Sequence, residues 1–146
     1  MSLAGSIAEA VMVLLDHYAV PLSGADAVVI GRSTVVGKPV ALLLIHRDAT
    51  VTVCHRHTKD LAEHTRRADV LVVAAGQPGL VTGDHVAPQT IVIDVGTNAT
   101  ADGGLVGDVD AETVAGRVAG LTPVPGGVGP VTTALLLQHT LTSANR

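Results

Sequence analysis

Residues 27–39 read Ala-Val-Val-Ile-Gly-Arg-Ser-Thr-Val-Val-Gly-Lys-Pro, and they give the strongest indication of the architecture. Its four apolar residues stop at Gly31, which is typical of a strand buried on both faces of a parallel sheet. A helix is predicted from Gly37, with Pro39 in its first turn where proline is tolerated. The run 50–53 predicts the next strand. The order strand, glycine turn, helix, strand is that of a βαβ unit.

The alternation of strands and helices continues along the chain. Further buried strands are predicted at 69–73 and 90–94, and a helix at 58–67 precedes them. An Asp-Gly-Gly turn within 98–107 predicts a hairpin. The remaining predicted elements are helices at 7–18, 110–117 and 131–143 and a glycine-proline loop at 123–130. We therefore expect an α/β fold with a Rossmann-like, doubly wound, mostly parallel sheet and helices on both faces.

Composition restricts the functions that are open to this chain. With 146 residues, 47% hydrophobic and 15% charged, it is expected to form one domain over 1–146 rather than a disordered segment. A net charge of -4 argues against nucleic acid and against an anionic membrane surface. We find no apolar run long enough to span a membrane and no pattern typical of a signal peptide. The single Cys54 cannot form an internal disulfide, and we expect a reducing, cytoplasmic location.

The turn after the first predicted strand has the features of a phosphate site. Gly31 permits a tight turn, Gly37 allows close packing of helix on strand, and free N–H groups at the helix start would bind oxygens. Ser33 offers a hydroxyl donor. The pattern is not G-x-G-x-x-G, because Ser33 stands at the second glycine position and Gly37 comes later. An ordinary strand-to-helix turn is therefore the alternative.

The end of the second predicted strand indicates which dinucleotide fits. Folds that bind NAD usually place Asp or Glu there, to accept from the ribose 2′-hydroxyl. This chain instead has Cys54-His55-Arg56-His57, without an acid. Arg56, joined by Arg32 from the neighbouring turn, would attract a 2′-phosphate and favours NADP over NAD. The alternative is that both arginines are solvated surface residues.

Other reactive side chains give weaker signals. His55, His57 and His64 match no zinc spacing, and no carboxylate or thiolate set completes one, so no metal is predicted. Cys54 is interpreted as a small apolar filler. Asp94, at the end of a predicted strand, is expected to cap the following turn, with a catalytic role as the alternative.

Six motifs occur in order along the chain. They are Gly31-Arg-Ser-x-x-Val-Gly-x-Pro39, Val51-Thr-Val-Cys-His55, Ala75-Gly-Gln-Pro78, Val92-Ile-Asp-Val-Gly-x-Asn98, Val106-Gly-Asp-Val109 and Thr122-Pro-Val-Pro-Gly-Gly-Val-Gly-Pro130. Together they resemble the bifunctional methylenetetrahydrofolate dehydrogenase/cyclohydrolase family. The resemblance runs from about Val11 to the C-terminus and covers the nucleotide-binding half of that family.

The resemblance implies a Rossmann domain that binds NADP. In the family, methylenetetrahydrofolate is oxidised to methenyltetrahydrofolate, and the cyclohydrolase step then gives formyltetrahydrofolate. The residues implied to bind the cofactor are Gly31, Arg32, Ser33, His55, Arg56, Gly76, Pro78, Thr97, Gly126 and Gly127. The first three would hold the pyrophosphate and the 2′-phosphate corner, and the next two would lie near the adenosine ribose.

The other implied residues would lie further along the cofactor. Gly76 and Pro78 would flank it, Thr97 would contact the nicotinamide side, and the loop 125–129 would face the cleft where cofactor and folate meet. Family members often carry isoleucine where Thr97 stands, and many carry arginine where His57 stands. The first difference changes the polarity at the nicotinamide end of the implied site. The second changes how far the arginine reaches at the adenosine end.

The folate half of the family carries a catalytic Tyr-x-x-x-Lys that this chain lacks, since Leu22 stands four residues after Tyr18. Residues 1–10 also diverge from the Pro-Cys-Thr-Pro-x-Gly segment of the family. We therefore assign no catalytic residue and expect an NADP-binding domain that needs a folate-binding catalytic domain or subunit for turnover. A homodimer is implied by the family. The alternatives are a stand-alone NADP(H)-binding module, or a different oxidoreductase that uses Asp94 or a histidine.

Overall fold

A computed structural model describes residues 3–135 of the chain. Its helices are α1 (Leu3–His17), α2 (Gly37–His46), α3 (Leu61–Thr65), α4 (Ala111–Val114) and α5, which begins at residue 128 and is described as far as 135. Its strands are β1 (Asp26–Ile30), β2 (Thr50–Cys54), β3 (Val70–Val73), β4 (Ile91–Asp94), β5 (Asn98–Ala99), β6 (Leu105–Val106) and β7 (Gly120–Leu121). A short 3-10 helix spans Gly83–His85.

Five strands form one parallel sheet in the order β2-β1-β3-β4-β7. In the centre, Val28 of β1 lies between Thr52 of β2 and Leu71 of β3. The chain proceeds outward from β1 to β2 and then returns to the other side of β1 with β3. The connections that follow β1 and β3 run to opposite sides at this reversal, which is where open α/β sheets bind ligands. The predicted doubly wound sheet is confirmed.

Helices cover both faces of the sheet. On one face, Val11 and Leu15 of α1 and Leu44 of α2 are fully buried in a cluster that includes the start of α5. On the other face, Leu71 of β3 and Val114 of α4 belong to a second cluster. Fully burying one such aliphatic side chain contributes roughly 1.5–3 kcal/mol. These aliphatic clusters hold the strand ends, and hence the candidate site, in a fixed arrangement.

Several predicted bounds are wrong, each for a local reason. α3 is shorter than 58–67 because Thr58 closes a turn with His55 and because Asp60 adopts a left-handed φ of 51°. α4 ends at Val114 rather than 117, where the N–H of Arg117 bonds back to the Val114 carbonyl in a tighter turn.

The ends of the chain also differ from the predicted bounds. α1 begins at Leu3 rather than Ile7, since the small residues before Ile7 carry no apolar period although Ser6 is fully buried. α5 begins at 128 rather than 131, with Pro130 in its first turn. The predicted helical residues 136–143 lie outside the described range. Within residues 3–135, no helix is long and apolar enough to cross a membrane.

Candidate functional site

The turn after β1 passes directly against the end of β3. Gly31 has φ +116°, and a Cβ added there would overlap the carbonyl oxygen of Ala74. The N–H of Gly31 donates to the carbonyl of Cys54 at 2.8 Å, and the N–H of Ala74 donates to that of Ile30 at 2.8 Å. Glycine is required here by both the backbone angle and the space. The backbones of β1, β2 and β3 therefore converge at the point where the sheet order reverses.

Ser33 organises the start of α2. Its Oγ accepts from the N–H of Val36 at 3.0 Å and from that of Gly37 at 3.4 Å. Its carbonyl accepts from the N–H of Lys38 at 2.9 Å. These three N–H groups are thus occupied, which differs from the expectation that they are free for a phosphate. The Ser33 hydroxyl keeps its own proton, which it can donate outward.

A cleft of about 460 Å³ opens where the turns after β1, β2 and β3 meet. It brings together five of the ten implied cofactor residues, which are Gly31, Arg32, Ser33, His55 and Arg56. Thr58, Ala74, Ala75 and Gln77 are also in its lining. No acidic residue is among the described residues that line it, so Arg32 and Arg56 contribute to the lining without a competing carboxylate. Such a site attracts an anion.

His55 is fixed in the turn that follows β2. Its N–H donates to Oγ1 of Thr58 at 2.8 Å, and its carbonyl accepts from the N–H of Thr58 at 3.0 Å. Burial lowers the pKa of His55, and the charge of Arg32 and the neighbouring imidazole of His57 lower it further. The imidazole is therefore held in its neutral form near neutral pH.

The other five implied residues lie outside this cleft. Gly76 is in the loop that follows β3, and Pro78 lines a separate groove of about 740 Å³. Thr97, Gly126 and Gly127 line a third groove of about 290 Å³, next to the start of α5. Both grooves include Asp94 in their walls, so they adjoin at the end of β4. All ten residues thus follow carboxyl ends of strands, but the structure distributes them along the sheet edge.

Asp94 is buried in the walls of both grooves. We call it an anchor because its carboxylate fixes the backbone around it through hydrogen bonds. Its Oδ1 accepts from the N–H of Gly96 at 2.9 Å and from that of Asp108 at 3.1 Å, and its Oδ2 accepts from that of Val109 at 3.1 Å. Burial raises its pKa, and the three N–H donors oppose this shift. The expected capping role of Asp94 is confirmed. With both oxygens engaged and the residue only 4% exposed, the side chain is not presented for catalysis.

Asp108 is a second anchor, which the sequence analysis did not single out. It is fully buried, and its Oδ2 accepts from the N–H groups of Ala75 at 2.8 Å and Gly76 at 3.0 Å. Its Oδ1 accepts from Nδ2 of Asn98 at 2.9 Å. The loop after β3 is thereby tied to the β5–β6 hairpin.

Two glycines make room for this pair of aspartates. A Cβ on Gly107 would overlap the Asp94 carboxylate, and a Cβ on Gly96 would overlap that of Asp108. The signal that could have revealed the pair is therefore present in the sequence, since each aspartate stands close to the glycine that accommodates its partner. In the described part of the chain, no group of three or more His, Cys, Asp or Glu side chains could hold a metal ion.

The comparisons with known proteins agree with this geometry. The model of the family "Tetrahydrofolate dehydrogenase/cyclohydrolase, NAD(P)-binding domain" matches residues 5–146. The chain belongs to this family. The resemblance inferred from the six motifs is thus confirmed.

Relatives within the tetrahydrofolate dehydrogenase/cyclohydrolase family are close in sequence. The bifunctional protein FolD 1 of Saccharopolyspora erythraea is 71% identical over 143 residues, which are 98% of this chain and 49% of that protein. FolD 1 of Rhodococcus jostii is 66% identical over 141 residues, which are 97% of this chain and 48% of that protein. The chain spans about half the length of the curated relatives it matches.

Solved structures of the family share the fold. The FolD structure from Campylobacter jejuni superimposes with a TM-score of 0.91 at 50% identity, covering 95% of this chain and 49% of that one. FolD of Trypanosoma brucei, complexed with NADP cofactor and inhibitor, gives 0.89 at 49% identity, with 94% and 49% covered.

Proposed function

We propose that this chain is the NADP(H)-binding part of a methylenetetrahydrofolate dehydrogenase/cyclohydrolase that acts in one-carbon folate metabolism. The observation that carries the proposal is the cleft at the sheet reversal, where Arg32 and Arg56 occur without a carboxylate. The 2′-phosphate is what separates NADP from NAD, and guanidinium groups bind phosphates in a bidentate manner. The NADP complex of the Trypanosoma brucei relative supports the same cofactor.

In this proposal the dinucleotide extends along the carboxyl edge of the sheet. Gly31 lets the pyrophosphate approach the backbone and the Ser33 hydroxyl donates to it, and Arg32, His55 and Arg56 bind the phosphorylated adenosine ribose. In the order β2-β1-β3-β4, His55 and Arg56 follow β2 and lie about three strand spacings, roughly 14 Å, from the end of β4. The residues that follow β1 lie about two strand spacings, roughly 10 Å, from it. When bound, NADP accepts a hydride at its nicotinamide.

The nicotinamide end of the proposed site adjoins the loop before α5. Gly76 and Pro78 flank the cofactor, Thr97 contacts the nicotinamide side, and Gly126 and Gly127 face the cleft shared with folate. The groove that contains the last three residues supports this assignment, because it adjoins the end of β4. We propose that residues 1–146 act as one nucleotide-binding unit.

Removing Arg56 is expected to weaken NADPH binding selectively. A hydrogen bond to a charged group contributes about 1.5–3 kcal/mol, so Arg56→Ala should raise the Kd for NADPH about 10- to 100-fold. The Kd for NADH should stay within about twofold, because NADH has no 2′-phosphate. Calorimetric titration of both cofactors measures the difference. Arg117→Ala is the control, since Arg117 is an exposed arginine outside the cleft lining. Equal wild-type affinities for NADPH and NADH would contradict the assignment.

We infer that the folate substrate requires a further folate-binding domain or subunit. Catalysis needs an acid/base within hydrogen-bond reach and both reactants held together, and no Tyr-x-x-x-Lys occurs in these 146 residues. We expect the purified chain to oxidise methylenetetrahydrofolate no faster than a protein-free control, followed by NADPH absorbance. Turnover that depends on the chain alone would overturn the inference. NADPH binding without recovery of turnover by an added folate half would favour a stand-alone binding module.

We propose that the chain forms a homodimer through α2 and the edge strand β2. Leu42 and Ile45 of α2 are 57% and 52% exposed, and Val53 of β2 is 40% exposed. An edge strand with apolar neighbours is a surface that a second copy can cover. Sedimentation over a concentration series measures this association.

We also propose a cytoplasmic location, because the buried Cys54 is a free thiol, which is compatible with a reducing compartment.

A further inference from the structure

A chain of hydrogen bonds passes through His57 in the turn after β2. The backbone N–H of His57 donates to Nδ1 of His55 at 3.2 Å, and Nε of Arg56 donates to Nε2 of His57 at 3.2 Å. The two imidazole rings meet edge to face, with centroids 5.9 Å apart. His57 therefore contacts His55 and Arg56, two of the three residues that this turn contributes to the cleft, although it is not in the cleft lining itself.

The donors in this chain determine where each ring carries its proton. A backbone N–H and a guanidinium Nε–H can only donate, so Nδ1 of His55 and Nε2 of His57 must accept. Neutral His55 therefore carries its proton on Nε2, and neutral His57 carries its proton on Nδ1. His55 thus keeps one N–H donor although its ring is uncharged.

The bond from Arg56 to His57 leaves the other edge of the guanidinium available. Nε is engaged, whereas the two terminal nitrogens have no described partner in the chain, and they are donors that can bind a phosphate bidentately. Arg56 is exposed, and an exposed arginine loses considerable rotamer freedom when it is fixed on a ligand. A side chain that His57 already orients loses less of this freedom when it binds.

We propose that His57 sets the preference of this cleft for a 2′-phosphorylated dinucleotide by orienting Arg56 through its ring Nε2. The inference rests on the proposed function, in which the cleft binds NADP(H). His57 is a positioning residue, because it contacts Arg56 and not the phosphate. The residue at position 57 therefore determines how tightly Arg56 can bind the 2′-phosphate.

A double-mutant cycle between Arg56 and His57 tests the proposal, with Kd values for NADPH and NADH as the readout. We expect His57→Ala to raise the Kd for NADPH about 3- to 10-fold, which corresponds to ordering one long side chain. The Kd for NADH should stay within about twofold. His57→Gln should restore most of the loss, since its amide oxygen can accept from Nε. In an Arg56→Ala background, His57→Ala should have no further effect.

Nitrogen chemical shifts of the His57 ring give a readout that a merely structural role would leave unchanged. In the wild-type chain they should report a proton on Nδ1, and Arg56→Ala should remove this preference. An unchanged Kd for NADPH in His57→Ala overturns the proposal, as does an equal loss in the Arg56→Ala background. A wild-type chain that does not prefer NADPH overturns the proposed function and this inference with it, so the two failures are distinguishable.

Discussion

Gly31→Ala should lower the free energy of unfolding by about 2–6 kcal/mol and abolish tight binding of NADPH. The φ of +116° at Gly31 is a glycine conformation, and forcing another residue into such a region costs about 1–3 kcal/mol. The added methyl group would also overlap the Ala74 carbonyl, and overpacking costs about 1–3 kcal/mol more. Relief of the overlap would separate β1 from β3, which is where the cleft opens.

Gly24→Ala is the matched control for this variant. Gly24 also has a positive φ, +78°, but a Cβ there has open space around it. We expect it to cost about 1–2 kcal/mol, the conformational part alone. Urea denaturation of both variants and a titration with NADPH measure the two effects. Equal losses of stability in the two variants would contradict the close approach of Gly31 to Ala74.

Asp94→Asn should lower the free energy of unfolding by about 1–3 kcal/mol, although the side chain keeps its size. The carboxylate accepts three backbone N–H groups on its two oxygens, and an amide has only one oxygen. Either orientation of the amide sets its NH₂ group against a buried backbone donor, and an unsatisfied buried donor costs about 1–3 kcal/mol. Denaturation in urea at neutral pH measures the loss.

Asp108→Asn is the comparison, and it should cost less. Its oxygen can keep the N–H groups of Ala75 and Gly76, while Asn98 can flip its own amide to accept from the new NH₂ group. The flip gives up the weaker bond from Asn98 to the Val106 carbonyl. A larger loss in Asp108→Asn than in Asp94→Asn would contradict this account of the two anchors.

The contribution of Asp94 to the free energy of unfolding should depend on pH, and the direction follows from its pKa. Burial raises the pKa of Asp94 above its ordinary value of 3.8, so the folded chain holds this proton more tightly than the unfolded chain. The contribution of Asp94 to the free energy of unfolding is therefore largest at pH values below its ordinary pKa. It decreases as the pH rises toward the raised pKa of the folded chain, and it does not change further above that pKa. Asp16, whose pKa Arg47 lowers, has the opposite slope. Asp94→Asn should remove the first of these slopes.

The central strands could be predicted because their residues carry the signal themselves. Val28 to Ile30 and Val70 to Val73 are continuous apolar runs, and both faces of the sheet are covered. β7 could not be predicted, since Gly120 and Leu121 form a strand only by pairing with Ile91 and Val92 of β4. A two-residue strand has no period of its own, so its existence depends on the tertiary fold.

The candidate site also has features that could be predicted from the sequence and features that could not. Arg32 and Ser33 are predictable because they follow a strand and precede a helix, which fixes their place at the sheet edge. The inward bonds of Ser33, the buried position of Asp108 and the contact between Arg56 and His57 depend on side-chain conformations that residue spacing does not encode. Position in the fold was thus predictable, whereas the hydrogen-bond partners were not.

The paired anchors also determine how this edge of the molecule can open. Asp94 and Asp108 together hold the loop after β3, the loop after β4 and Val109, which forms an isolated β-bridge with Val81. Movement of any of these segments removes N–H donors from a buried carboxylate on which the others also depend, so their local unfolding is coupled. The nicotinamide end of the proposed site is therefore a single cooperative unit that opens as a whole or remains closed.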